Sequence, residues 1–282
     1  MRNHRGFTLI ELMIVLVIML TVSAGIYKLL ITTQRLSRAQ AERVDLQSNV
    51  RTASLVVPAE LKEINTVVGG TVAQNDILDN QLTSITYRAM RGLGFVCAGT
   101  TTGQLRLSNF TGFSLRAPLA NHDSAYVFID NNVDLNSDDA WTSVKITGVV
   151  AGNTCAVGVP ATTMDITPAL GSVPATGTPV RVYEVMKLSL YVSGGKSWLG
   201  AQGPNDANPQ PLLGPLQDGN GLALTYLNSA GAAAAQKSDI KSVVLTVRGV
   251  TTQLVSTGGG NATTTRVVDS LVSQVSLRNA LR

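Results

Sequence analysis

The sequence predicts an α+β protein: one long N-terminal helix, transmembrane in its first half and amphipathic in its second, followed by an antiparallel β-rich globular domain. Three observations predict it. Phe7–Tyr27 is almost wholly apolar and long enough to span a bilayer as a helix. From Leu29 a repeat in alternating steps of three and four continues the helix. After residue 64 the pattern changes to short β-like runs between turn residues, in a composition rich in threonine, serine, glycine and valine.

The chain opens with the short basic stretch MRNHRG, residues 1–6. Arg2 and Arg5 place this end in the cytoplasm and the rest of the chain outside. The apolar run that follows is interrupted by one acid, Glu11. An unpartnered acid there costs roughly 2–4 kcal/mol or more on insertion scales, so Glu11 calls for a cation. A secretory signal would be cut after its apolar core. Here the best cleavage site lies before the core, at Gly6/Phe7.

Arg5-Gly6-Phe7-Thr8-Leu9-Ile10-Glu11-Leu12 resembles the class III leader junction of type IV pilins and type II secretion pseudopilins. The resemblance implies cleavage after Gly6 by a prepilin peptidase and N-methylation of the new terminal residue, Phe7. It also implies that Glu11 pairs with a neighbouring subunit's terminal amine during assembly. The physics agrees: a buried carboxylate needs a cation, and cleavage creates an ammonium in the same apolar layer.

The second half of the helix carries the stripe Leu29, Thr32, Leu36, Ala39, Arg43, Leu46, Val50, Ala53 and Val57. Arg35, Arg38, Gln40, Glu42, Asp45, Gln47 and Arg51 lie off it as a solvated or partner-facing set. Such a long stripe is expected to pack partly on its own domain and partly on other helices. A helix merely lying on its domain explains the lower half equally well. Pro58, the first proline, is expected to end the first helix segment, with Ala59–Ile64 adding another turn or two as the alternative. The expected division is therefore a leader at 1–6, a helix at 7–57 with its transmembrane half at 7–27, and a globular domain at 58–282. Many major pilins bend their helix with a proline just past the membrane; this chain has none before Pro58.

Candidate strands are Gln81–Arg88, Gly94–Ala98, Gln104–Leu107, Ala125–Ile129, Ser143–Val150, Thr163–Ile166, Val180–Val192, Ala223–Leu227, Ile240–Arg248 and Arg266–Leu277. Asn228–Ala235 reads as a hairpin loop, with an alanine-rich helical turn as the alternative. Ser197–Leu216, rich in proline, glycine and asparagine, reads as an irregular surface loop, and Thr257–Thr265 as another. Thr86-Tyr87-Arg88, Arg91-Gly92-Leu93-Gly94, the run Val180–Tyr191, Gly221–Tyr226 and Val275-Ser276-Leu277-Arg278-Asn279 resemble the large minor pilins and the J-type pseudopilin. The domain's size disfavours a small repeating subunit.

There are two cysteines, Cys97 and Cys155. Outside the cytoplasm a disulfide between them is expected, with two buried free thiols as the alternative. Charged residues at 14% argue against long solvated helices and disordered tails. The formal charge of +4 includes the two leader arginines, so basicity is weak evidence for nucleic acid. Aromatics at 5% and scattered basic residues leave nucleic-acid binding a minor alternative.

Asp130, Asn132, Asp134, Asn136 and Asp138 alternate, followed by Asp139, and such oxygen side chains can wrap calcium. The hand-shaped calcium loop needs glycine at its sixth position and a bidentate acid at its twelfth. Counting from Asp130 these are Leu135 and Trp141; from Asp134, Asp139 and Lys145. Both registers fail, so a polar hairpin loop is preferred and a calcium site at Asp130, Asn132, Asp134 and Asp138 is the alternative. Gly194-Gly195-Lys196-Ser197 ends like a phosphate-binding loop, but the required first glycine is Leu190. A nucleophile would have to use His122, the only histidine beyond the leader, with Cys155 or a serine, and no spacing supports it. No zinc-spaced cluster exists. The reading is a structural subunit, not an enzyme, with no cofactor. Its implied partners are other pilin or pseudopilin subunits, the prepilin peptidase and the inner membrane. A surface, sugar or DNA would be a ligand only for a tip-located binding module.

Overall fold

The computed structural model describes residues 8–66, 75–110, 115–130, 134, 139–155, 158–256 and 264–277. Helix α1 spans Leu9–Lys62 and is followed by strands, as the α+β class requires. The chain divides into two compact units, the first comprising Met1–Ser48 with Thr251–Val267, the second Asn49–Val250 with Val268–Arg282.

The first unit contains most of α1 and a small hairpin, β12 (Val255–Ser256) paired antiparallel with β13 (Thr264–Thr265). The hairpin is tied at its base: the Thr251 N–H donates to the Val267 carbonyl at 2.9 Å, and the Val267 N–H to Thr251 Oγ1 at 3.1 Å. The Gln253 N–H donates to the Glu42 carboxylate at 3.1 Å, which fastens the hairpin to the helix. Most of the segment expected as the Thr257–Thr265 loop lies outside the described residues; its last two residues form β13.

In the second unit twelve strands form one sheet. They are β1 (Ile77–Asn80), β2 (Ser84–Val96), β3 (Gln104–Ser108), β4 (Ser124–Ile129), β5 (Ala140–Thr154), β6 (Pro160–Thr167), β7 (Pro179–Ser193), β8 (Lys196–Gln202), β9 (Gln210–Leu216), β10 (Leu222–Leu227), β11 (Ser242–Val250) and β14 (Val268–Ser276). Every pairing among them is antiparallel. The pairings close a ring, because β2 pairs with β3, β3 with β6, β6 with β5, β5 with β4, β4 with β7, and β7 again with β2. Strands β3 to β6, with the adjoining stretches of β2 and β7, therefore build a closed barrel inserted within the sheet.

Two cores follow. One packs the end of α1, through Ala53, Val57, Leu61 and Ile64, against Ile85, Tyr87, Leu188, Leu199 and Leu245 of the sheet. The other fills the barrel, with Leu105, Leu107, Val127, Val144, Ile146, Met164 and Val182. The long strands β2 and β7 serve both. Their shared face carries Ile85, Tyr87 and Ala89 opposite Leu188, Met186 and Glu184, then Gly92 and Gly94 opposite Val182 and Val180. At the join Arg91 is a bulge, since Met90 pairs with Tyr183 and Gly92 with Val182. Gly94 allows close packing inside the barrel: a Cβ there would stand 3.1 Å from both Leu107 Cβ and Phe110 Cδ2.

Several expectations are corrected. The helix runs through Pro58 to Lys62, past the expected boundary at 57 and within the further turn or two allowed for Ala59–Ile64. An interior proline costs roughly 3 kcal/mol, but Val57, Leu61 and Ile64 flank it in the core and hold the last turns in place. Of the helix stripe, Leu46, Val50, Ala53 and Val57 are buried, whereas Leu29, Thr32, Leu36 and Arg43 are exposed. Gln81–Arg88 and Gly94–Ala98 are one strand, β2, joined by the Arg91 bulge. Ser197–Leu216 is not an irregular loop: it forms β8 and β9, which bury Leu199, Leu213 and Leu216. Its prolines Pro211 and Pro215 sit on β9, where the pairing register is irregular and a missing N–H is tolerated. Asn228–Ala235 is a loop as expected, with Asn228 Oδ1 accepting from the Ala230 and Ala232 N–H groups, both at 3.0 Å.

Cys97 follows β2 directly and Cys155 follows β5; they form a disulfide, as expected. Its position explains its value. The β2–β3 pairing covers only Phe95↔Ser108 and Val96↔Leu107, the weakest seam of the barrel. The bond bridges a sequence separation of 58 beside that seam. Replacing both cysteines by serine is expected to cost about 4 kcal/mol by loop closure. Denaturant unfolding followed by Trp141 fluorescence measures it; a loss under about 1 kcal/mol would show that the barrel does not rely on the bond.

Candidate functional site

The N-terminus of α1 is built by local sequence. Thr8 precedes the first helical residue, Leu9, and Glu11 stands three residues after Thr8, the spacing of a capping box. The Glu11 N–H donates to Thr8 Oγ1 at 3.4 Å and the Thr8 N–H to Glu11 Oε2 at 3.5 Å. Both contacts are long, so the carboxylate keeps capacity for a stronger partner. Gly6 and Phe7 lie outside the described residues. Around Glu11 the apolar side chains Leu9, Ile10, Leu12–Leu20 and Leu29 are all exposed, and the apolar stretch is long enough to cross a membrane with none of it buried. A helix apolar on every side suits hydrocarbon or other helices.

The second constellation is ionic, and sequence reading missed it. Arg91, at the β2 bulge, reaches Glu60 of α1 at 3.4 Å and hydrogen-bonds to Glu184 of β7. Glu184 also takes Arg116 Nη2 at 2.9 Å. Arg116 forks onto Asp123, with Nη1 2.6 Å from Oδ2 and Nη2 2.7 Å from Oδ1. Asp123 further accepts the Leu119 N–H at 2.8 Å and faces His122 Nδ1 at 2.8 Å. The Asp123 side chain is fully buried and that of Glu184 nearly so. Burial alone would raise the Asp123 carboxyl; the hydrogen bonds from Arg116, His122 and Leu119 override it and hold the group below the usual carboxylate range. The chain of charges lies where the helix-backed core meets the barrel core, on the face Glu184 shares with Val182 and Met186.

His122, Asp123 and Glu184 place three ligand-type atoms within 4.8 Å of one another. Arg116 Nη2, bonded to both Asp123 Oδ1 and Glu184 Oε2, already supplies the cation between the carboxylates. A metal ion there would meet the guanidinium's positive charge, so the geometry is that of a structural ion network. His122 hydrogen-bonds to the Asp123 carboxylate, and Cys155, its sequence-level candidate partner, is held in a disulfide. Gly194 and Gly195, with φ of 60° and 70°, form the two-residue turn between β7 and β8, where Ser193 pairs with Lys196. That hairpin is no phosphate loop, which would open a helix. Of the calcium candidates, Asp130 and Asp134 are exposed, and Asn132 and Asp138 lie outside the described residues. Phe128 and Trp141 pack as an aromatic pair just below that segment, ring centroids 5.4 Å apart.

The family model of the prokaryotic N-terminal methylation motif matches residues 1–27. No curated protein matches the chain, and no solved structure does. The motif and the long apolar helix fit a type IV pilin-like prepilin, of the pilin or pseudopilin class. They point to a membrane-anchored structural subunit rather than an enzyme, one that associates with pilin-type subunits and with a prepilin peptidase.

Proposed function

We propose that this protein is a minor pilin-like subunit, trimmed after Gly6, methylated at Phe7, and incorporated in or at the tip of a type IV pilus to act in its assembly. The observation that carries the reading is an assembly-type N-terminus joined to a domain with a second, barrel-shaped core. A subunit repeated along a filament must pack against copies of itself on every side, and an inserted barrel is costly to accommodate in each copy. The disulfide suits an oxidising compartment, and the leader arginines favour a cytoplasmic N-terminus with the domain outside.

Co-expression with a prepilin peptidase and N-terminal sequencing of the membrane form should give a chain starting at Phe7. Gly6→Leu should block cutting. A mature start beyond residue 20 would overturn the leader assignment. Deletion of the gene separates the roles: lost or scarce surface filaments support the pilus reading, whereas normal filaments with failed protein secretion assign the chain to a type II secretion pseudopilus. Filaments that form normally but no longer hold a surface, a sugar or DNA would assign a tip binding module.

A further inference from the structure

We infer that the outer edge of β14 is a strand-addition site that takes an extended strand from another pilin-type subunit, a partner that follows from the filament-subunit reading proposed above. β14 pairs with β11 at every position from Val268 to Ser276, with no bulge. The hydrogen-bond phase of β11 fixes which groups of β14 face away. The Arg248 N–H donates to the Gly221 carbonyl at 2.8 Å on the β10 side, and the Thr251 N–H to the Val267 carbonyl at 2.9 Å on the β14 side. Hydrogen-bonded pairs recur at every second position of an antiparallel ladder. Asp269, Leu271, Ser273 and Val275 therefore bond to β11. Val268, Ser270, Val272, Gln274 and Ser276 turn their N–H and C=O groups outward, where no strand meets them among the described residues.

A row of outward backbone donors and acceptors is completed by an extended peptide. Asp269 Oδ1 takes the Ser270 N–H at 2.9 Å, so the open run is Val272–Ser276. The strand carries no proline, lysine or arginine that would deter pairing. Val268 and Val272 are 45% and 63% exposed on one face and Leu271 is 39% exposed on the other, so an added strand covers apolar surface on both faces. Other edges are blunted, as a lone chain requires. β1 is four residues long, and its Leu78 carbonyl accepts from Lys237 Nζ. On the far side of β10 the Leu224 N–H donates to the Leu82 carbonyl at 2.7 Å, and the Tyr226 carbonyl accepts the Ala234 N–H at 2.9 Å. β9 carries Pro211 and Pro215.

A second copy of this chain does not fit the edge. Antiparallel pairing of β14 with β14 places a twofold axis perpendicular to the sheet, and that axis reverses every direction lying in the sheet. The last turns of α1 pack along this sheet through Ala53, Val57 and Leu61. The two N-terminal helices would then point opposite ways and could not enter one membrane. A head-to-tail contact between copies needs a second open edge, and β1, β9 and β10 are the blunted ones. The methylation motif points to neighbours of the pilin class, whose helices enter the membrane in the same direction as α1. The strand on β14 therefore comes from a different subunit of that class.

Photo-crosslinking of the full chain in membranes of its native host tests this, with the photoreactive residue placed at Ser276 on the edge or at Leu16 on the apolar helix. Ser276 should join one other pilin-type subunit, and mass spectrometry should map the joined peptide to an extended segment. Val272→Pro removes an outward N–H and leaves the ladder to β11 intact. It should lower the Ser276 product about tenfold, the effect of one lost hydrogen bond with its acceptor left unpaired. Val272→Lys keeps every backbone group and adds a charge at the edge; it should lower the product as well. Neither variant should change the Leu16 products or the unfolding midpoint. Leu16 products with pilin-type subunits but none from Ser276 overturn the proposal and leave the filament reading standing. Products from neither position overturn both. A Ser276 product with a second copy or with a protein outside the pilin class, or one unchanged by Val272→Lys, also overturns it.

Discussion

Asp123→Asn is expected to lower the stability of the domain by about 3–5 kcal/mol at pH 7, the cost of breaking a buried ion pair from one side. The side chain is fully buried and is held by the Arg116 fork, the Leu119 N–H and His122. An asparagine of the same shape leaves the Arg116 guanidinium without its main counter-charge and turns a donor toward groups that donate. The pH dependence has a definite sign. The Asp123 carboxyl sits below its ordinary value of 3.8 in the folded protein. Its contribution is therefore complete above that value and is lost as the pH falls toward the lower, folded value. Wild type should lose this increment in acid, while the variant, already without it, should change less over the same window. Trp141 and Trp198 both lie in the domain and report denaturant unfolding. A loss under about 1 kcal/mol, with the acid limb unchanged, would show that the network is surface-like and weakly coupled.

The N-terminal motif and the apolar run were legible because their signals are local. The motif around Gly6, Phe7 and Glu11 is contiguous, and an apolar run identifies itself by length. The end of the helix was not legible, because Pro58 is overruled by contacts of Leu61 and Ile64 with strands far along the chain. Ring closure was hidden for the same reason: β2 pairs with β7 some ninety residues later, and no alternation pattern says which strands are neighbours. The β8–β9 pair was lost to composition, since prolines and glycines read as loop although Ser197, Leu199 and Leu216 are buried. The ion network is spread over α1, β2, β7 and the segment before β4, and isolated charges read as solvated. One signal was available. Along β7, Glu184 falls on the parity of Val180, Val182 and Leu188, which is the buried face, and an acid there requires a buried cation.

Glu11→Val and Glu11→Gln are expected to be cut at Gly6 and kept in the membrane, yet to enter filaments or partner complexes poorly, with incorporation falling at least about tenfold for a lost charge pair in an apolar layer. Glu11 has a modest role within its own chain, capping the first turn through Thr8 at 3.4–3.5 Å. Removing that cap costs about 1 kcal/mol at most and cannot unseat a helix this apolar. Among the described residues no cation stands beside the carboxylate, and apart from Thr8 the helix around it offers exposed apolar side chains. In the proposed assembly, a neighbouring subunit shifted along the filament axis would bring the terminal ammonium that cleavage before Phe7 creates into that layer. Each charge alone is costly there, whereas the pair is attractive and favours one register between subunits over the others. Glu11→Gln removes the charge and keeps a polar acceptor; Glu11→Val also removes the polarity and eases insertion. Both should fail alike if charge is the cause, whereas rescue by Gln alone would assign the effect to the cap. Crosslinking to co-expressed pilin subunits measures incorporation directly. Wild-type incorporation of Glu11→Val would show that no neighbour uses this carboxylate, the result expected of a subunit at the very tip, with no chain ahead of it.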